Sequence, residues 1–243
     1  MPGASDHLIE DSDAFRKTID EAQKLAREGY LVTLGVKPTY AGTGFGYIKT
    51  AKALDAGFKV ECFKEKPDFE TATKYLNDGT YYWNAGIFVF KASVLMQALK
   101  EYAPEIYEVT QKFNFKTQDT IDYMTFDKYP SISIDYAVME HAKNIAMVKM
   151  QSDWNDLGSW DAVYDINKKD DKGNVKIGNV IAKDCENSML YSSNRMVAGV
   201  GLKDVIIVET QAFIIPQIYD LYCSDRPEGR SLQRVDYLNK AST

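Results

Sequence analysis

The segment FKEKP at residues 63–67 precedes a short helical pattern, and the very apolar segment YYWNAGIFVF follows at residues 81–90. Proline cannot donate to a sheet ladder, so Pro67 predicts the end of a strand. We therefore expect Glu65 and Lys66 at a strand end, the edge at which α/β sheets bind ligands. A carboxylate accepts hydrogen bonds from sugar hydroxyls, and an ammonium group binds phosphate as a point charge. The alternative interpretation is a surface ion pair.

The second segment predicts a buried strand with a polar opening. Asn84 offers both a hydrogen-bond donor and an acceptor, and Gly86 lets a ligand come close to the backbone. A glycine-rich loop at residues 42–46 precedes both segments, but it lacks the Gly-Lys-Ser/Thr ending of a phosphate-binding P-loop. Each of these features alone also fits a loop beside a buried strand.

The composition is that of an ordinary globular protein. The chain has 243 residues, of which 45% are hydrophobic and 26% charged, and its net charge is -6. No clustered basic excess predicts a nucleic-acid partner, and no apolar run is long enough to predict a membrane span. Three widely spaced cysteines form neither a metal-binding spacing nor a disulfide framework, and no signal peptide is recognisable at the start. We therefore expect a cytoplasmic protein.

Hydrophobic periodicity predicts an α/β body followed by a β-rich region. Residues 12–28 predict a helix capped by Ser12 or Asp13, and residues 30–36 predict a buried parallel strand. Further helices are expected at 69–78 with Asp68 as its cap, at 93–102, from 104, at 117–125 and from about 131, and further strands at 47–52, 58–63, 82–90 and 145–150. From about residue 173, short strands alternate with polar turns, which predicts a β-helix or a sandwich.

Three acidic residues stand at positions where a ligand site could form. Asp6 comes before a short strand end, Asp135 lies at a helix start, and Asp156 lies where a strand gives way to a helix. A carboxylate at a strand end can bind Mg²⁺ through oxygen. The alternatives are a helix cap or solvated terminus for Asp6, a dipole-favoured surface acid for Asp135 and an N-cap for Asp156.

Several segments together resemble the mannose-1-phosphate guanylyltransferases of the sugar-phosphate nucleotidyltransferase family. Six of them occur in the family's order between residue 5 and about residue 160, and their combination is more specific than any single one. They are SDHLI at 5–9, GFGYI at 44–48, FKEKP at 63–67, WNAGIF at 83–88, SIDYAVME at 133–140 and WNDLGSW at 154–160. The turn-rich segment near residues 187–207 is similar to the β appendage of the mannose branch.

The resemblance implies a Rossmann-like, GT-A-type nucleotidyltransferase domain at residues 1–170, a β-rich appendage at 171–215 and a tail at 216–243. It implies transfer of a guanylyl group from GTP to mannose 1-phosphate, which gives GDP-mannose and pyrophosphate. By the same resemblance, the sugar phosphate would attack the α-phosphorus in line, and Mg²⁺ would bridge the reacting phosphates. By the motif match, Asp6 and Asp156 would hold the metal.

The resemblance also implies which residues bind the sugar phosphate. Glu65 and Asn84 would bind sugar hydroxyls, and Lys66 would neutralise the phosphate and so take part in catalysis. Gly46 would supply a backbone contact, Gly86 would let the ligand approach, and Asp135 would shape the pocket.

The sequence departs from the family pattern at its beginning. The family's Gly-x-Gly-x-Arg loop and following Pro-Lys, which hold the nucleotide, do not occur. The resemblance therefore implies an N-terminally truncated member with little or no activity of its own, for which GTP binding is in doubt. The alternatives are a non-catalytic sugar-phosphate-binding or regulatory subunit, and a nucleotidyltransferase for another hexose 1-phosphate. A homo-oligomer is compatible with each of them.

Overall fold

The structure, a computed structural model, describes residues 7–112, 120–211 and 214–218. The chain divides into two compact units, with the boundary between Lys168 and Lys169. Within the described residues, the first unit mixes helices and strands, whereas the second contains strands without helices. The predicted α/β fold class with a β-rich C-terminal region is therefore confirmed.

Strands of the first unit form a barrel and a short separate pair. In the described part of this unit they are β1 (Leu8–Ile9), β2 (Leu31–Val36), β3 (Tyr47–Leu54), β4 (Gly57–Lys64), β5 (Tyr81–Val89), β6 (Ile145–Lys149) and β7 (Trp154–Asn155). The barrel has the order β2-β5-β3-β4-β6 and closes where β6 pairs with β2. That closing pair is parallel, as predicted for β2, and the other barrel pairs are antiparallel. β1 and β7 pair antiparallel.

Helices connect these strands at the predicted places, with some changes at their ends. They are α1 (Ser12–Arg27), α2 (Phe69–Asp78), α3 (Ala92–Tyr102), α4 (Pro104–Gln111), α5 (Tyr123–Phe126), a π-helical turn (Asp135–Met139) and α6 (Trp160–Ile166). The prediction that Ser12 or Asp13 caps α1 is wrong. Asp11 is the cap, because its extended backbone lets its carboxylate accept the N–H groups of Asp13 and Ala14.

Two further predictions, the cap of α2 and the helix at 117–125, had different outcomes. Asp68 caps α2 by accepting the Thr71 N–H at 2.8 Å, as predicted. The helix predicted at 117–125 is shorter in the described residues, because α5 begins only after Asp122, whose carboxylate accepts the Thr125 N–H. Residues 117–119 of that prediction lie outside the described residues.

Alternate residues of the central strands face two different hydrophobic cores. Val32 and Leu34 of β2 pack with α1, β5 and β6 in one core. Leu31 packs on the other side with Phe88 of β5, α3 and the π-helical turn. Successive side chains of a strand point to opposite faces, so Asn84 shares the Phe88 side of β5. This is the side on which the π-helical turn lies.

The second unit has the parallel strand pairing of a β-helix. Its described strands are β8 (Val175–Ile177), β9 (Val180–Lys183), β10 (Met189–Ser192), β11 (Val197–Val200), β12 (Val205–Glu209) and β13 (Ile214–Ile218). β10 pairs parallel with both β8 and β12, and β9 pairs parallel with β11. Of the two predicted alternatives, this pairing favours the β-helix over the sandwich.

Both ends of the second unit differ from the sequence prediction. β8 was not predicted as a separate strand. The predicted tail from residue 216 is wrong for residues 216–218, which belong to β13. Pro216 is tolerated there because β13 lies at the edge of the sheet that the described strands form, where a missing N–H does not interrupt a ladder. Residues 219–243, with a predicted short helix at 231–239, lie outside the described residues.

In the described part of the chain, no helix has the length and apolarity that crossing a bilayer requires.

Candidate functional site

The turn after β4 presents Glu65 and Lys66 together. Their side chains form an ion pair, with 3.8 Å between Lys66 Nζ and Glu65 Oε1. The Glu65 side chain is only 11% exposed, whereas that of Lys66 is 59% exposed. Lys66 has a φ of 42°, a left-handed conformation that side-chain-bearing residues seldom adopt, and Pro67 follows it directly. The turn thus offers an inward carboxylate and an outward cation.

Glu140 holds this turn from the far end of the π-helical turn. Its carboxylate accepts the backbone N–H of Glu65 at 3.0 Å and the Lys64 ammonium at 3.3 Å. Asp135 begins the π-helical turn and Glu140 follows it directly, and the Glu140 N–H donates to the Asp135 carbonyl at 2.9 Å in the i to i+5 pattern. Such turns are rare and occur frequently at functional sites. One short element therefore brings two acidic residues to the Glu65 turn.

Asn84 connects β5 to the same π-helical turn. Its Nδ2 donates to Asp135 Oδ1 at 3.0 Å, and its Oδ1 accepts both the Thr33 hydroxyl at 2.7 Å and the Gly86 N–H at 3.1 Å. Asn84 is buried, with 8% of its surface exposed. A buried carboxamide with three partners has a fixed orientation.

Gly46 lies where the two groups meet. Its carbonyl accepts the Asn84 N–H at 2.8 Å. A Cβ at this position would overlap Glu65 Oε2 and come within 3.3 Å of Asn84 Cβ. A side chain at position 46 would therefore displace the Glu65 carboxylate from its place beside Asn84. The predicted site residues Gly46, Glu65, Lys66, Asn84 and Asp135 form one cluster.

Burial and neighbouring charge disturb the ionisation of Glu65. Burial is the main cause that raises the pKa of its carboxyl group, and the negative charge of Asp135 raises the pKa further. Lys66 acts in the opposite direction, and Glu140 adds to the increase. A raised pKa combined with a specific charge partner is typical of functional sites.

Gly86 connects the cluster to the β1–β7 pair. It has a φ of +68°, and a Cβ placed on it would lie 4.0 Å from His7 Cε1. His7 Nδ1 accepts the Trp154 Nε1–H at 3.3 Å, and β1 pairs with β7 so that Leu8 lies opposite Asn155. Asp156 follows β7 directly. Among the described residues, Asp156 makes no hydrogen bond or ion pair with Glu65, Asn84 or Asp135.

Asp156 has the donor chemistry that Mg²⁺ prefers. Its Oδ1 accepts the Gly158 N–H at 3.2 Å, and its Oδ2 makes no hydrogen bond within the described part of the chain. A partly exposed carboxylate oxygen fits Mg²⁺, which binds through one or two carboxylates and keeps several waters. Asp6, the other predicted ligand, lies outside the described residues. Within 7–112, 120–211 and 214–218, no group of three or more His, Cys, Asp or Glu side chains is arranged to hold a metal ion.

Sequence reasoning missed Thr33 and Glu140 as members of this cluster. Glu140 was part of the segment SIDYAVME, and Thr33 is the polar residue between apolar neighbours in β2. A hydroxyl in an otherwise apolar buried strand needs a partner, which was the available signal for Thr33. Nothing local in the sequence identifies Glu65 as the partner of Glu140.

Comparisons with family models agree with both units. The model described as Nucleotidyl transferase matches residues 3–173. The model described as MannoseP isomerase/GMP-like beta-helix domain matches residues 178–215.

Similar proteins include several named as mannose-1-phosphate guanylyltransferases and one named as a xanthan biosynthesis protein. The Mannose-1-phosphate guanylyltransferase of Salmonella muenchen is 38% identical over 242 residues, which are 97% of this chain and 50% of that protein. The Xanthan biosynthesis protein XanB of Xanthomonas campestris pv. campestris strain B100 is 42% identical over 216 residues, 87% of this chain and 46% of the relative. The chain thus spans about half the length of the curated relatives it matches.

A solved structure has the same fold. It is named mannose-1-phosphate geranyltransferase, from Thermus thermophilus, with a TM-score of 0.78 and 28% identity, and the match covers 88% of this chain and 63% of that one. The nucleotidyl transferase model, which matches well over half of the chain, agrees with this fold. The chain belongs to the nucleotidyl transferase family.

Proposed function

We propose that this chain binds mannose 1-phosphate at the Glu65–Asn84 cluster and supplies the sugar-phosphate side of a mannose-1-phosphate guanylyltransferase. The main observation that supports this proposal is that the Glu65–Lys66 turn and the Asn84–Asp135 pair meet at Gly46. The names of the similar proteins support the choice of mannose 1-phosphate and of GTP as the second substrate.

Each polar group of the cluster suits one part of a sugar phosphate. The buried Glu65 carboxylate accepts from hydroxyl groups, and Asn84 adds a fixed amide. The exposed Lys66 ammonium is free to turn towards a phosphate, because its 3.8 Å contact with Glu65 is a loose one. The missing side chain at Gly46 keeps the Glu65 carboxylate beside Asn84, so both can bind the same sugar.

The reaction depends on position and charge. An in-line displacement at phosphorus needs the attacking oxygen held in line, and fixed side chains supply that orientation. Asp156, together with Asp6 by the motif match, would hold Mg²⁺. When bound, the metal neutralises charge on the reacting phosphates.

We further propose a cytoplasmic location. Cys62 is an exposed free thiol, and Cys185 is a buried one. Exposed free thiols persist in reducing compartments.

Calorimetric titration with mannose 1-phosphate, with Mg²⁺ and with EDTA, tests the proposal. We expect the double variant Glu65→Ala, Lys66→Ala to bind at least about 100-fold more weakly, since both changes remove charge-assisted hydrogen bonds. Glucose 1-phosphate and GTP are titrated in parallel. An assay of pyrophosphate release in the presence of GTP and mannose 1-phosphate measures whether this chain catalyses the guanylyl transfer.

The matched control removes an equivalent pair elsewhere. Lys49 and Glu61 form an exposed ion pair at 3.1 Å on β3 and β4, and the double variant Lys49→Ala, Glu61→Ala should bind like the wild type. Equal losses in both double variants, or a folded wild type that binds no sugar phosphate, would refute the proposal.

A further inference from the structure

The Asn84 carboxamide is oriented by a residue outside the motif. Thr33 lies on β2, is completely buried, and its hydroxyl donates to Asn84 Oδ1 at 2.7 Å. A second hydrogen bond reaches the same oxygen from the Gly86 N–H. A backbone N–H can only donate, so this bond identifies the atom facing it as the carbonyl oxygen of the amide.

A bulge between β2 and β5 makes this arrangement possible. Thr33 pairs with Phe88, but Gly35 pairs with Asn84, so β5 contains more residues than β2 between the two pairs. Gly86 lies in the extra segment with a positive φ, and its N–H turns towards the Asn84 side chain. Bulges redirect side chains in this way and are common next to active sites.

The hydrogen-bond inventory then decides what Asn84 can offer to a ligand. Thr33 and Gly86 occupy both lone pairs of Oδ1, and Asp135 accepts one of the two hydrogens on Nδ2. The remaining hydrogen on Nδ2 is the one hydrogen-bonding site of the amide that these contacts leave. Rotation of the amide would place its oxygen against the Asp135 carboxylate, which is unfavourable.

We propose that Thr33 is a positioning residue that makes Asn84 a hydrogen-bond donor towards the sugar phosphate. The ligand atom at Asn84 must therefore be an acceptor, a hydroxyl or phosphate oxygen. This inference deepens the proposed function and rests on it. Thr33 itself is buried behind Asn84 and acts only through that residue.

A double-mutant cycle in mannose 1-phosphate binding tests the proposal. Thr33→Val keeps the shape of the side chain and removes the donor. We expect Kd to rise by about 5- to 10-fold, because Asn84 is then less firmly oriented. Asn84→Ala should weaken the binding of mannose 1-phosphate more than Thr33→Val does. The combined variant should bind no more weakly than Asn84→Ala alone, because Thr33 has nothing left to position.

Two variants separate positioning from general stability. Thr33→Ser keeps the hydroxyl and should restore binding to within about 2-fold of the wild type. Thr18→Val removes another fully buried hydroxyl, which donates to the Ala14 carbonyl in α1 at 3.0 Å, and should leave Kd unchanged. Circular dichroism at the titration temperature shows that each variant is folded.

The outcomes distinguish this inference from the proposed function. A wild type that does not bind mannose 1-phosphate overturns the proposed function and the inference with it. If the wild type binds and Asn84→Ala weakens binding, additive losses with Thr33→Val, or no loss with Thr33→Val, overturn the role of Thr33 alone. Equal losses in Thr33→Val and Thr33→Ser also overturn it.

Discussion

At the scale of single residues, Glu65 combines the clearest functional signal with a stability cost. The fold encloses its carboxylate beside Asp135 and Glu140, which raises its pKa above the ordinary value of 4.5. The folded protein therefore binds this proton more tightly than the unfolded chain does. Below the ordinary pKa, the carboxyl group is protonated in both states and the fold has its full stability with respect to this group. As the pH rises through the raised pKa, the group ionises inside the fold and that stability is lost.

Glu65→Gln should therefore increase thermal stability at neutral pH. We expect Tm to rise by about 1–2 °C at pH 7.5, the shift that roughly 0.5 kcal/mol produces in a domain of this size. The gain should vanish below about pH 4.5, where both states of the wild type are protonated at this position. Thermal melts between pH 4 and 8 measure it.

The control for this prediction is Glu61→Gln. Glu61 is 54% exposed and pairs with Lys49, so its removal should change Tm little. A Tm of Glu65→Gln that is below the wild-type value at pH 7.5 would show that the carboxylate contributes to folding, contrary to this account.

At the scale of elements, local signals were predictable and tertiary partners were not. Asp68 is recognisable as the cap of α2 because a cap and its N–H partner are three residues apart. The partner of Asn84 on β2 is 51 residues away, and that of Glu65 is 75 residues away. A short-range pattern carries no information about such pairs. The sequence predicts an ordinary helix start in place of the π-helical turn for the same reason, since the contacts of that turn with β4 and β5 are long-range.

Glu209 holds a turn of the second unit together. It is completely buried at the end of β12, and it accepts the N–H groups of Ser193, Asn194 and Arg195 and the Arg195 side chain at 2.9 Å. The Arg195 side chain is the main cause that lowers its pKa to about 2. Its stabilising contribution is present above the ordinary pKa of 4.5 and is lost as the pH falls towards 2.

Glu209→Gln should therefore lower the Tm of the second unit at pH 7 by about 5 °C or more. The difference from the wild type should shrink as the pH falls from 4.5 to 2. Glu186→Gln is the matched control, because Glu186 is an exposed partner of Lys203 at 3.8 Å and should have little effect. Equal effects of the two variants would contradict the role assigned to Glu209. Differential scanning calorimetry of the wild type and both variants between pH 2 and 7 measures the difference.

At the scale of the whole molecule, the order of motifs indicated the family better than any element did. The α/β class and the β-rich end could be predicted because hydrophobic periodicity changes near residue 173, close to the boundary at Lys168. Closure of the barrel through β2 and β6 could not be predicted, because it depends on the pairing of strands that are more than a hundred residues apart. Hydrophobic periodicity left the β-helix and the sandwich open, and the parallel strand pairing distinguishes them.

A crystal structure of the chain with mannose 1-phosphate tests the central claim most directly. We expect the phosphate within reach of Lys66 Nζ and sugar oxygens about 3 Å from Glu65 and from Asn84 Nδ2. The Asn84 carbonyl oxygen should still face Thr33 and Gly86. An ordered ligand bound away from this cluster, or a phosphate turned away from Lys66, would contradict the assignment of the site.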